Sequence, residues 1–379
     1  MKKEADRINQ NPFLSIILPC YNEEAILQTN INMISNYMES KKLKYQWEIL
    51  IINDGSKDKT GVIANELAKF NSNLRVIHHP INLNLGRALQ TGFQNSLGDI
   101  LVVMDIDLSY SVEHIETMVD KLIETSADIV VASPYMKGGK VTAVPYGRKI
   151  MSIWVNKFMS FSAQDKYYTF TGMVRAYKAS FIRTLNLKTK DYEINPEIMY
   201  KAMILRAHIV EIPAHLDWTE QNKYAENRTS SIRVLRGFFS GIMSAFIFRP
   251  YIFFIGIGSI LILLSFYELI WLLYDTLSDL NQYSSSQISS SYSFSISLAK
   301  QFSINPQSFV VGGITFIAAI QFLSLGFLSL QSKRYFEELF HLGTSLKKKK
   351  FKLGIQNKID KNKNQNWDTK RDKKEMFNI

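Results

Sequence analysis

The run Leu101-Val102-Val103-Met104-Asp105-Ile106-Asp107 constrains this chain most, because a short apolar segment that stops on two carboxylates one residue apart has few places to sit. The apolar part reads as a buried strand. The acids then emerge at its C-terminal edge, where ligands bind in open α/β sheets. Two carboxylate oxygens aimed at one point suit a hard divalent cation holding a diphosphate. Taken alone, Asp-x-Asp is explained more simply by a solvated turn.

Context comes from the N-terminal part, where two more strand-like runs end in polar clusters. Leu14 to Leu18 leads into Pro19-Cys20-Tyr21-Asn22-Glu23-Glu24, and Glu48 to Ile52 leads into Asn53-Asp54-Gly55-Ser56-Lys57-Asp58. Each run is followed by an amphipathic stretch, Ala25 to Met38 and Thr60 to Phe70. The alternation of strand and helix predicts an α/β domain with a mostly parallel sheet. Three strands would thus deliver acids to one rim, a convergence that favours a nucleotide and metal site over unrelated turns.

In this order and spacing the motifs resemble those of the GT-A glycosyltransferases of family 2, and within them the polyprenyl-phosphate sugar transferases such as dolichol-phosphate mannosyl- and glucosyltransferases. The resemblance covers roughly residues 12 to 235 and includes Asn82-Leu83-Asn84-Leu85-Gly86-Arg87-Ala88 and Val210-Glu211-Ile212-Pro213. It implies a Rossmann-like GT-A catalytic domain over residues 1–231. It also implies that Pro19, Tyr21, Glu23, Asp54, Arg87 and Asp105 bind a nucleotide sugar, and that Asp105 and Asp107 hold Mg²⁺ or Mn²⁺ against its diphosphate, Asp107 being the firmer ligand. The residues also admit plainer readings, Asp54 as a turn residue beside Gly55 and Arg87 as a surface cation.

The pattern is broken at three places. Asn53 stands where the first of two consecutive acids is common, Asn84 replaces a usual glycine, and Pro134 occupies a position where many relatives carry an arginine for the acceptor phosphate. Proline supplies neither charge nor donor, so Lys137 or Lys140 becomes a substitute, or the clamp rests on the next cluster. That cluster, Tyr146 to Lys157, reads as an amphipathic helix with Arg148 and Ser152 on one face at i,i+4. The spacing matches an Arg-x-x-x-Ser feature of lipid-phosphate-using relatives, and the planar fork of Arg suits a phosphate. A solvent-exposed basic turn is the alternative for Arg148, and Lys149 reads as a solvated neighbour.

Further on, Thr169-Phe170-Thr171-Gly172-Met173-Val174-Arg175-Ala176-Tyr177 resembles the segment lining the sugar and acceptor side, with Asp165 the nearest acid before it. Asn195-Pro196-Glu197 reads as a helix start with Asn as N-cap, leaving Glu197 to favour the helix end or to touch the sugar. Arg228, with Ser230 and Ser231, stands where relatives close a basic, serine-rich loop over the diphosphate. Asp107, Arg148 and Arg228 are therefore the expected catalytic residues. The implied reaction is an inverting, metal-dependent transfer of a hexose from a nucleotide sugar of the GDP-mannose or UDP-glucose type to a polyprenyl or dolichyl phosphate. Two alternatives stay open: a processive polysaccharide synthase, whose Gln-x-x-Arg-Trp element Gln331-Ser332-Lys333-Arg334-Tyr335 superficially matches, and an inactive membrane-tethered nucleotide-sugar scaffold.

The second half changes character. Residues 251–274 and 309–330 are almost wholly apolar runs of 24 and 22 residues, each long enough to cross a hydrocarbon layer of ~30 Å. They predict a two-helix transmembrane hairpin, 251–274 and 309–331, joined by an extracytoplasmic Ser-rich loop, 275–308, and preceded by a juxtamembrane amphipathic helix, 232–250. Glu268, the acid in the first span, is expected to face the partner helix, a subunit contact or the interface. Lys300 is the only basic residue of the connecting loop, whereas Arg249 precedes the first span and Lys333-Arg334 follow the second. The positive-inside rule then places the catalytic domain and C-terminus in the cytoplasm, in a cell membrane or endomembrane.

The tail 332–379 is expected to be basic and disordered. From Lys347 onward it holds 12 Lys/Arg against 4 Asp/Glu, so its +8 is most of the chain's formal +11. Such a segment suits anionic headgroups, and charge confined to a tail argues against nucleic-acid binding. Cys20, the sole cysteine, excludes an internal disulfide. His78-His79 read as loop residues at a strand end rather than zinc ligands. No cleavable signal peptide is expected, and a homo-oligomer is left open.

Overall fold

In the computed structural model, residues 11–162, 166–219, 246, 250–283 and 290–376 are described. The chain divides into two units, Met1–Ser244 with Glu338–Ile379, and Ala245–Glu337. The first is built on a seven-stranded sheet. Its strands are β1 (Phe13–Cys20), β2 (Gln46–Asn53), β3 (Leu74–His78), β4 (Ile100–Val103), β5 (Ile129–Ser133), β7 (Arg175–Lys178) and β8 (Ile209–Pro213), in the spatial order β3-β2-β1-β4-β7-β5-β8. A two-stranded parallel ribbon pairs β6 (Lys140–Thr142) with β9 (His215–Asp217).

The central strands read as unbroken apolar runs because both faces of the sheet are covered. Leu14, Ile16, Ile17 and Leu18 of β1 are wholly buried, as are Ile100 to Val103 of β4. β1, β2, β3 and β4 run parallel, and β5 with β8; β7 alone lies antiparallel, between β4 and β5. The expected α/β architecture with a mostly parallel sheet is what the chain adopts. Chain order steps outward from β1 to β2 and β3 on one side and to β4 on the other, and a crevice at such a switch is where open sheets bind ligands.

Helices α1 (Leu27–Ser40), α2 (Thr60–Phe70), α3 (Leu85–Asn95), α4 (Glu113–Thr125), α5 (Tyr146–Ser162), α6 (Ala179–Ile182) and α7 (Ile194–Ile204) complete this unit. α1 begins two residues later than its periodicity suggested, while α2 has the expected limits. The N-cap assigned to Asn195 is corrected. α7 starts at Ile194 after Glu193, because Asn195 is pulled inward: its carbonyl accepts from Arg175 Nη1 (3.1 Å), and its amide lies 3.4 Å from Thr171 O.

The second unit contains α8 (Pro250–Tyr283), α9 (Ser290–Ile304) and most of the apolar part of α10 (Pro306–Met376). Pro250–Asp279 and Pro306–Leu346 are long and apolar enough to cross a membrane, and only 11% of either apolar window is buried. A soluble core helix would be mostly buried. The two helices meet antiparallel at small residues: a Cβ on Gly258 would strike Leu323, one on Gly326 would strike Ile255, and Ser265 Oγ donates to Gly312 O at 3.1 Å. The Cβ of Glu268 lies at this seam, opposite Gly312 of the partner helix.

Two expectations for this half are overturned. The Ser-rich connection is largely helix, since α8 continues to Tyr283 and α9 packs on it through Ser297 Oγ to Thr276 O (2.9 Å) and through Lys300 and Gln301 to Asp279. Serine satisfies a helix when its hydroxyl finds a carbonyl. The tail is likewise helical as far as Met376. From residue 347 to 376 it contains no proline and one glycine, and its lysines and glutamines are good helix formers even without an apolar face. The expected amphipathic segment 232–250 lies outside the described residues, except for 246 and 250.

Candidate active site

The acids converge as the strand order requires. Glu23 follows β1, Asp54 follows β2, and Asp105 and Asp107 follow β4, three strands adjacent in the sheet. Beyond β4 the chain turns sharply: Leu108 N–H donates to Asp105 O (3.2 Å), Leu108 takes a φ of 51°, and Asp107 Oδ1 accepts from Ser109 N–H (2.9 Å). Asn30, on α1, pins the turn by donating to Ile106 O at 2.7 Å. Nothing in the sequence singled Asn30 out, because a mid-helix asparagine carries no local signal.

Burial, then the charge of Asp107, then that of Glu23, push the Asp105 carboxyl up to about 8. Like charges gathered in a half-buried site disfavour ionisation, and a divalent cation relieves that repulsion. The donor set is all oxygen, which fits Mg²⁺ or Mn²⁺. Among the described residues no group of three or more His, Cys, Asp or Glu side chains is poised to hold a metal. Two protein carboxylates and a diphosphate therefore fit better than a dedicated protein cage.

Asp54 is no ordinary turn residue, although Gly55 beside it does turn with a φ of 67°. Its side chain is buried, and its Oδ1 accepts from Leu83 N–H (3.0 Å) and His79 Nδ1 (2.6 Å). His78 is the last residue of β3 rather than a loop residue, and its Nδ1 meets Asn53 Nδ2 at 2.9 Å. The two histidines thus hold the two residues at the end of β2. Their loop reading missed this clamp, since its geometry is set across strands.

Asn84 takes a backbone conformation that suits glycine, with φ 69° and ψ 166°. Behind it α3 begins, and Gly86 lets the 189–191 backbone lie against the helix: its N–H donates to Lys190 O at 2.9 Å, and a Cβ there would reach Thr189 O at 2.5 Å. Arg87 is exposed and donates to Gln90 Oε1 (2.9 Å). Pro19 lies within β1, and Tyr21, just beyond it, is exposed. Arg228, Ser230, Ser231 and Asp165 lie outside the described residues.

Helix α5 carries the cluster expected to meet the acceptor phosphate. Arg148, Ser152 and Asn156 follow at i, i+4 and i+8, one face of a helix. The Arg148 guanidinium stacks over the Trp218 ring at 5.1 Å, and Ser152 hydrogen-bonds the Tyr135 phenol. Asn156 is buried: its Oδ1 accepts from Phe170 N–H (2.7 Å) and Thr171 N–H (3.2 Å), and its Nδ2 donates to Ser152 O (2.9 Å). Glu211 takes the N–H groups of Tyr168 and Thr169, both at 2.8 Å, and Arg175 Nη2 donates to Phe170 O (2.7 Å). The 168–171 segment is therefore held from several sides beside Ser152. The opposite face of α5 exposes Tyr146, Ile150, Ile153 and Trp154.

Pro134 is buried at the end of β5, while Lys137 and Lys140 are exposed. Glu197 is engaged structurally, paired with Lys201 (2.5 Å) and accepting from the amides of Lys188 and Thr189. This resolves its two readings away from the sugar. Trp218, Asn156, Tyr135 and His79 were not anticipated as site residues, because each acts through a contact distant in sequence.

Residues 15–187 match the family model described as Glycosyl transferase family 2. That stretch is a family 2 glycosyltransferase domain. The chain is 29% identical over 219 residues to a dolichyl-phosphate beta-glucosyltransferase ALG5A of Trichomonas vaginalis, covering 55% of this chain and 66% of that protein. It is 30% identical over 203 residues to a dolichol-phosphate mannosyltransferase of Pyrococcus furiosus, covering 53% and 55%. With a polyprenol monophosphomannose synthase of Mycolicibacterium smegmatis it shares 28% over 205 residues, covering 52% and 75%. The chain thus spans between about half and three quarters of the curated relatives it matches. The family 2 match takes in Glu23, Asp54, Arg87, Asp105, Asp107, Arg148 and Ser152.

Proposed function

We propose that this chain transfers a hexose from a nucleotide sugar to a polyprenyl or dolichyl phosphate at the cytoplasmic face of a membrane, with inversion at the anomeric carbon. The observation that carries the reading is the gathering of Glu23, Asp105 and Asp107 at one sheet edge, where burial first and then the charges of Asp107 and Glu23 raise the Asp105 carboxyl. Asp105 and Asp107 would hold Mg²⁺ or Mn²⁺ against the diphosphate. When bound, that cation supplies charge neutralisation for the departing nucleoside diphosphate.

The protein's own share is positioning. Asp54 and Glu23 engage the nucleoside, and Arg148 with Ser152 binds the acceptor phosphate, the guanidinium giving two hydrogen bonds in one plane. A phosphate monoester is largely ionised at neutral pH, with a second pKa of about 6. No strong general base is needed to activate it. Orientation of a bound anion toward the anomeric carbon, together with electrostatic stabilisation of the leaving group, is sufficient. The helices α8 and α10 tether the domain to the membrane holding the lipid, consistent with their lengths and exposed apolar faces.

The test is direct. Full-length protein in detergent, incubated with Mg²⁺ or Mn²⁺, polyprenyl phosphate and a panel of labelled nucleotide sugars, should yield an extractable lipid-linked sugar. Asp107→Ala should lose transfer by several kcal/mol of transition-state stabilisation, roughly 10³-fold or more, with an unchanged circular dichroism spectrum. A folded Asp107→Ala protein with near-normal activity would falsify the assignment.

A further inference from the structure

The base end of the donor site carries one more deduction, which rests on the transfer reading above. Asp54 has an almost enclosed side chain, 6% exposed, and both of its hydrogen bonds fall on the same oxygen. Oδ1 accepts from Leu83 N–H at 3.0 Å and from His79 Nδ1 at 2.6 Å. A carboxylate only accepts, so Nδ1 of His79 must carry its hydrogen. The ring is held in that orientation by Thr91 Oγ1, 2.9 Å from Nε2, while the backbone N–H of His79 donates to Asn53 O, also at 2.9 Å. Oδ2 accepts from no described residue, and it is not among the fully enclosed unpaired atoms. Asp54 therefore offers a nucleobase one oxygen, not two.

Bases differ in what they ask of a carboxylate. Guanine presents two neighbouring donors, N1–H and the 2-amino group, which match both oxygens of a free carboxylate side by side. Uracil presents a single N3–H between two carbonyls. We propose that His79 restricts Asp54 to single-donor recognition, so that the site takes a uridine nucleotide donor in preference to a guanosine one. His79 is then a positioning residue that acts through Asp54. A guanine placed here would turn one N–H toward an oxygen whose lone pairs are already taken, and an unpaired donor in an enclosed site is penalised strongly.

The experiment is calorimetric binding of UDP and GDP to the full-length protein in detergent with Mn²⁺, beside transfer to polyprenyl phosphate from UDP-glucose and GDP-mannose. UDP should bind at least about ten-fold more tightly than GDP, the scale of one buried hydrogen bond to a charged group. His79→Asn, whose amide nitrogen can occupy the place of Nδ1, should keep that ratio, whereas His79→Ala should narrow it to about three-fold or less. Equal or tighter GDP binding by the native protein overturns the proposal, whether or not His79→Ala folds. So does an unchanged ratio in a folded His79→Ala protein. A GDP preference with lipid-linked product still formed sinks the base assignment alone, while failure to bind either nucleotide sinks the transfer reading with it.

Discussion

Asp105 carries its own pH signature. Its carboxyl lies at about 8 in the folded protein against an ordinary 3.8, so the native state keeps a proton that the unfolded chain has released. The stability this group contributes is full below about pH 4 and is lost as pH rises toward about 8. Asp105→Asn should therefore flatten the fall in Tm of protein kept in a chelator between about pH 5 and pH 8, while transfer is lost. An unaltered Tm profile would show that the acid cluster is not strained. Asn84 offers an independent check, since φ 69° with ψ 166° is a region that suits glycine almost alone. Asn84→Gly should raise stability by about 1 kcal/mol, read as a higher urea midpoint with unchanged slope. Both residues were visible as motif positions; the backbone angles that make Asn84 a strained residue are set only by the fold.

Among the elements, α5 is where sequence and tertiary contact divide the work. The i,i+4 spacing of Arg148 and Ser152 was legible from the chain alone, because helix geometry is local. Trp218 was not, because its contact with Arg148 requires β6 and β9 to pair first. Trp218→Ala should raise the KM for the lipid phosphate about two- to five-fold and leave the donor KM unchanged, the scale of an exposed cation–π contact; Trp218→Phe should restore much of it. Asn156→Ala, by contrast, leaves the buried N–H groups of Phe170 and Thr171 without their acceptor. It should cost about 1–3 kcal/mol in denaturant unfolding of the catalytic unit. A change confined to KM would mean that Asn156 does not brace this segment.

For the whole molecule, the helical tail and the apolar helices set separate expectations. Its excess of 12 basic over 4 acidic residues from Lys347 onward should draw the chain to acidic lipid at roughly 1 kcal/mol per basic residue near the surface. Removing residues 347–379 should weaken adhesion to acidic liposomes and spare turnover in detergent. Equal adhesion of the truncated form would dispose of that role. The helical state of this segment was missed because a lack of apolar periodicity was read as a lack of structure, although helix propensity is independent of an apolar face.

By itself the sequence determined three of the strands, that the first two are followed by helices, that acids end all three, and that two helices are long enough for a bilayer. All of these are set by local periodicity and run length. Tertiary structure decided the strand order that places Glu23, Asp54, Asp105 and Asp107 on adjacent strands, the insertion of antiparallel β7, and the partners of Asp54, Arg148, Asn156 and Glu197. Among those contacts His79 lies 25 positions from Asp54 and Trp218 lies 70 from Arg148. No spacing rule reaches that far, because chain distance there is closed by the packing of the sheet and not by the geometry of any one element.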